Sequence, residues 1–113
     1  MASSHETIYW DSLGHILAAS TAYMVDLPSG TTEWTVINVN AGPTDMLAVA
    51  GTATSIASAA NRIPLAPTVV LSGKGGSLFV LNPTGGSLPV IVMWGRHGRQ
   101  PTNDAGRADF ITL

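Results

Sequence analysis

The chain has 113 residues, a formal net charge of −2 and no cysteine, so it has room for one modest core and no disulfide frame, thiolate metal site or cysteine nucleophile. Charged residues make up 11% and apolar residues 45%, which excludes a charge-swollen disordered chain, and the slightly acidic balance argues against general nucleic-acid binding. No apolar run approaches the roughly 18 residues of a membrane span, and the first ten residues lack the basic start and apolar stretch of a signal peptide.

Short apolar runs follow one another between Gly- and Pro-rich breaks. Thr7–Trp10 alternates, with Ile8 and Trp10 on one face; His15–Ala19 and Tyr23–Leu27 come next, closed by Pro28-Ser29-Gly30. Glu33–Val39 alternates cleanly and sets Trp34, Val36 and Asn38 against Thr35, Ile37 and Val39, before Asn40-Ala41-Gly42-Pro43 breaks it. Met46–Ala50 stops at Gly51. The Ala-rich continuation to Asn61 alternates Thr52 and Thr54 with Ala53 and Ser55, and its mediocre helix formers favour an exposed strand over a helical turn. Arg62–Pro67 holds two prolines and reads as an extended crossing between sheets. Val69–Leu71, Leu78–Leu81 and Leu88–Trp94 complete the series. Leu78, Val80, Leu88, Val90, Val92 and Trp94 point to one core, and the glycines between the last two runs suit a hairpin. β-branched runs at this spacing predict an all-β, single-domain antiparallel sandwich or barrel, jelly-roll-like.

The sandwich is expected over residues 1–95, with an N-terminal strand or arm at 1–10. Residues 96–113 read as a C-terminal arm that ends in the apolar hook Phe110-Ile111-Thr112-Leu113. Charge divides along the chain. Residues 1–61 carry Glu6, Asp11, Asp26, Glu33 and Asp45 and no Lys or Arg, whereas 62–113 carry Lys74 and four Arg against Asp104 and Asp109. Such a split allows copies to meet acidic face to basic arm.

Chemistry-bearing motifs are sparse. Ser72-Gly73-Lys74-Gly75-Gly76-Ser77 resembles a phosphate loop only superficially, because strand-like Leu78-Phe79-Val80-Leu81 follows where a helix N-terminus is needed; it reads as a hairpin turn. His5, His15 and His97 lie far apart without a metal-ligand spacing. No Gly-x-Ser-x-Gly elbow is present. The expectation is therefore no enzyme, no cofactor and no metal. Trp10, Trp34 and Trp94 with Tyr9 and Tyr23 are core candidates or, where exposed, a sugar platform; Tyr9 and Trp10 are the more suggestive pair.

Residues 34–96 carry a family resemblance. The segments Val36-Ile37-Asn38-Val39-Asn40-Ala41-Gly42-Pro43, Ala59–Pro67 with its Pro64-Leu65-Ala66-Pro67, Leu71-Ser72-Gly73, Leu78-Phe79-Val80 and Leu88–Trp94 resemble the pattern of small head- and tail-surface proteins of tailed bacteriophages. Thr68 departs from that pattern, which often has Gly after the second proline. The resemblance implies a structural virion protein, made in the host cytoplasm and placed on the capsid surface. There it acts as a decoration or cement protein that binds the major capsid protein and itself as a homo-oligomer, a trimer being one form. Low charge suits such an apolar interface. The interface candidates are Tyr9, Trp10, Arg96, Arg99, Arg107, Phe110 and Leu113, and no nucleic-acid or membrane partner is expected. Alternatives are a tail, adaptor or fibre-attachment protein, or a carbohydrate-binding β-sandwich module.

Overall fold

A computed structural model describes residues 8–97 and 108–113. Among these residues nine strands build two antiparallel sheets. Sheet A has the order β1-β8-β3-β6, formed by β1 (Ile8–Leu17), β8 (Leu88–His97), β3 (Glu33–Ile37) and β6 (Val70–Lys74). Sheet B runs β5-β4-β7-β2-β9, from β5 (Ile63–Leu65), β4 (Leu47–Ala50), β7 (Ser77–Asn82) and β2 (Thr21–Asp26) to β9 (Asp109–Thr112). The first eight strands have the order of a jelly roll, two four-stranded sheets joined by Greek-key crossings. The sheets face each other as a sandwich and do not close into a barrel.

Alternation decides which side chains fill the space between the sheets. Val36 and Trp34 of β3, Val90, Val92 and Trp94 of β8, and Leu17 of β1 point inward from sheet A. Tyr23, Val25, Leu47, Val49, Leu65, Leu78 and Val80 meet them from sheet B. Each fully buried Val or Leu contributes about 1.5–3 kcal/mol of hydrophobic stabilisation. β4 and β7 are apolar on both faces because a second cluster lies outside sheet B. There Ala48, Ala50, Leu81 and Phe79 are covered by Ile56.

Ile56 sits on the single short helix among the described residues, α1 (Ala53–Ile56). This corrects the exposed strand expected after Gly51. The Thr52 side chain accepts a hydrogen bond from the Ser55 N–H at 3.1 Å and caps the turn. Only a helical turn brings Ile56 back over the outer face of β4, and that burial outweighs weak helix propensity.

Two hairpin expectations are also corrected. β6 and β7, on either side of the Ser72–Ser77 turn, lie in different sheets, and so do β7 and β8. The expected inward residues of the last two strands do share one core, but they approach it from opposite sides. Gly85 and Gly86 are not in the left-handed region, unlike Gly75 at φ 99°. Arg62–Pro67 leads between sheets as expected, and its centre also forms the edge strand β5 against β4. Just beyond it, Thr68 adopts φ 66°, the region where glycine is at home and a β-branched residue is strained.

Three buried asparagines tie the crossings down. Asn38 Nδ2 donates to the carbonyls of Asp45 at 2.8 Å and Leu65 at 2.9 Å. Its Oδ1 accepts from the backbone N–H of Asn40 at 3.1 Å and from Asn40 Nδ2 at 2.7 Å. Asn82 Nδ2 donates to Leu17 O and Gly86 O, while its Oδ1 accepts from the Thr84 N–H and hydroxyl.

β8 continues to His97, past the expected boundary at residue 95, and 109–112 of the expected arm add to the edge of β2 in sheet B. Phe110 stacks on His15 with ring centroids 4.4 Å apart and meets Tyr23 edge-on at 6.3 Å.

Candidate functional site

The outer face of sheet A is a grid set by strand register, since residues directly opposite one another share a face. One row reads Trp10, Gly95, Glu33, Lys74; the next Ser12, Met93, Thr35, Ser72; the third Gly14, Ile91, Ile37, Val70. Ile16 and Pro89 continue the grid beyond these. Polarity therefore changes along the strands, from a charged and aromatic end to an apolar one.

At the apolar end Ile16 is 61% exposed and Val70 54%. Gly14, Ile16, Val39, Pro89 and Ile91 line a shallow groove of about 520 Å³. β1 forms one border of sheet A, paired to β8 along one side over its ten residues. It contains neither proline nor lysine, residues that commonly guard a sheet edge. Of the other borders, β5 holds Pro64 and β6 ends in Lys74, whereas β9 and β1 each carry one exposed aspartate, Asp109 and Asp11.

At the charged end Trp10, Glu33, Thr35, Ser72 and Lys74 line a second groove of about 430 Å³, with Trp34 and Gly73 also in its wall. Trp10 is 44% exposed. Gly95 places no side chain between Trp10 and Glu33, and the Thr35 and Ser72 hydroxyls hydrogen-bond across β3 and β6 at 2.8 Å. Trp34 lies against the Gly73 backbone so closely that a Cβ there would stand 2.3 Å from the indole. Its Nε1–H is buried without a hydrogen-bond partner among the described residues.

The interface candidates scatter. Trp10 stands on the outer face of sheet A. Phe110 is half-buried against the main core, and Leu113 is exposed just after β9. Tyr9 and Arg96 pair through their backbones in the β1–β8 ladder, while Arg99 and Arg107 lie outside the described residues. Trp34 and Trp94 are buried, as core candidates should be. The Ile16–Ile91–Ile37–Val70 surface was missed by sequence reasoning, although the outward members of the Glu33–Val39 alternation already include Ile37 and Val39. Among the described residues no three His, Asp or Glu side chains converge, and no helix is long and apolar enough to cross a membrane.

No protein-family model matches the chain, and no curated protein matches it. A solved structure from work on Bacillus endospore appendages, described as a novel family of disulfide-linked pili, is similar over 85% of this chain and 95% of its own. The identity is 16% and the TM-score 0.41. This chain has no cysteine with which to form such a link, and a likeness at this level carries no functional inference.

Proposed function

We propose that the chain is a non-enzymatic structural subunit that joins copies of itself through the outer face of sheet A and the β1 edge. One observation carries this reading: the apolar end of the sheet A face reaches, through the exposed Ile16, a ten-residue edge strand that has neither proline nor lysine. Four strands about 4.8 Å apart and two apolar rows about 6.8 Å apart present a face on the order of 250 Å², on which Ile16, Val39 and Val70 are exposed. The face alone falls short of the roughly 800 Å² per partner of a stable interface. Pairing β1 antiparallel with β1 of a second copy extends the sheet, satisfies the open backbone groups and brings both apolar faces into one surface.

The phage resemblance makes the surface of a phage head the setting to test. There the chain is a decoration or cement protein with the major capsid protein as its second partner. A tail or fibre-attachment role is separated by copy number, hundreds per particle for decoration against a dozen or fewer.

Light scattering coupled to size exclusion tests the self-assembly. The wild type is expected as a dimer or larger species, and the Ile16→Asp/Val70→Asp double variant as a folded monomer. A wild-type monomer at high concentration refutes the reading.

A further inference from the structure

We propose that the charged end of the sheet A face is a binding site for a neutral pyranose unit of a glycan. The groove of about 430 Å³ has the volume of a small-ligand site, and its lining has the two parts that sugar recognition needs. Trp10 offers a half-exposed indole, an apolar plate onto which the C–H face of a pyranose ring packs. Beside it, Glu33 supplies carboxylate acceptors, Lys74 ammonium donors, and Thr35 and Ser72 hydroxyls that donate and accept. Adjacent sugar hydroxyls, each both donor and acceptor, match this mixture.

The charges choose the sugar class. Glu33 and Lys74 are direct cross-strand partners on β3 and β6, so a carboxylated sugar that gains Lys74 also meets Glu33. A neutral ring uses both. The same pairing makes the site insensitive to net charge, unlike a phosphate cradle built from cations alone.

The rigidity of the site follows from the fold. These residues stand on β1, β3 and β6 of one sheet, with Gly95 of β8 between the first two, and Gly73 leaves room for the Trp34 indole close against the β6 backbone. The site does not depend on the self-assembly reading. It occupies the opposite end of the face from Ile16 and Val70.

The test is calorimetry and tryptophan fluorescence on the full chain with cellohexaose, maltohexaose, chitohexaose and galactohexaose, against trigalacturonic acid and sialyllactose. At least one neutral oligosaccharide is expected to bind with Kd at or below about 1 mM, and neither acidic one comparably. Trp10→Ala should weaken that binding about tenfold or more, Trp10→Phe by only a few-fold, and Lys74→Met by an intermediate factor. Thermal melts and light scattering on the same variants should match the wild type, which separates loss of the site from loss of fold or assembly. Absence of binding across the neutral panel, a preference for the acidic sugars, or unchanged affinity in Trp10→Ala overturns the proposal.

Discussion

Replacing Asn38 with alanine should cost more than almost any other single truncation in this chain. The side chain is fully buried and forms four hydrogen bonds, donating to Asp45 O and Leu65 O and accepting from the Asn40 amide and side chain. Alanine leaves two carbonyls and one backbone N–H unpaired. Asn40 Nδ2 keeps its second partner, Pro89 O, at 3.0 Å. An unsatisfied buried group costs about 1–3 kcal/mol. With water entering part of the space left behind, three orphaned groups sum to about 3–4 kcal/mol, against about 5–15 kcal/mol for a whole domain. At about 4 °C per kcal/mol for a domain of this size, the melting temperature falls by roughly 12–16 °C. Urea denaturation followed by circular dichroism measures the loss directly. Asn38→Asp keeps the shape but turns a second oxygen toward the same two carbonyls, so it should be no milder than alanine. A loss under about 1 kcal/mol for Asn38→Ala refutes the view that this side chain holds the crossings together.

Two glycine-related predictions follow from backbone geometry. Gly73→Ala forces a Cβ into the Trp34 indole and should destabilise by about 1–3 kcal/mol, whereas Gly76→Ala meets nothing within 4 Å and should change the urea midpoint little. Thr68→Gly relieves a β-branched residue at φ 66°. The left-handed conformation costs about 1–2 kcal/mol and glycine's extra unfolded-state freedom about 0.5–1 kcal/mol, so a net gain of about 0.5–1 kcal/mol should appear as a raised melting temperature.

Strand content was readable because it depends on local alternation. Glu33–Ile37 announces its two faces through Trp34 and Val36 against Thr35 and Ile37, and the structure keeps both. Pairing was not readable in the same way. A Gly-rich turn such as Ser72–Ser77 has the same composition whether it returns the chain into its own sheet or carries it to the other one. Which of these happens depends on partners far away in sequence. The helical turn at Ala53–Ile56 was hidden for a related reason: its cause is the apolar outer face of β4 and β7, which only exists once those strands are placed. Asn38 was visible as an inward residue of its alternating run, yet its four bonds go to Asn40, Asp45 and the distant Leu65, so alternation could not announce its clamp role. The departure at Thr68 did carry information, since the position where the resembled phage pattern often has glycine is one of two non-glycine positions with a positive φ among the described residues. For the candidate site, the aromatic character of Trp10 was legible. Its company, Glu33 and Lys74, is a product of register across β8, β3 and β6.

Apart from β4 to β5, every connection between successive strands passes from one sheet to the other. Beyond that one pair, neither sheet can assemble from segments adjacent in the chain, and sheet A has no such pair as an early seed. β1 must wait for β8, which arrives only after six intervening strands. Folding of such a chain is slow, in the range of about milliseconds to seconds, and strongly cooperative, because half of it has nothing to hold on to. During that interval Ile16 and the open border of β1 are exposed to every other copy in solution. The surface proposed to build the assembly is also the surface through which unfinished chains would aggregate, so yield on refolding should fall as protein concentration rises.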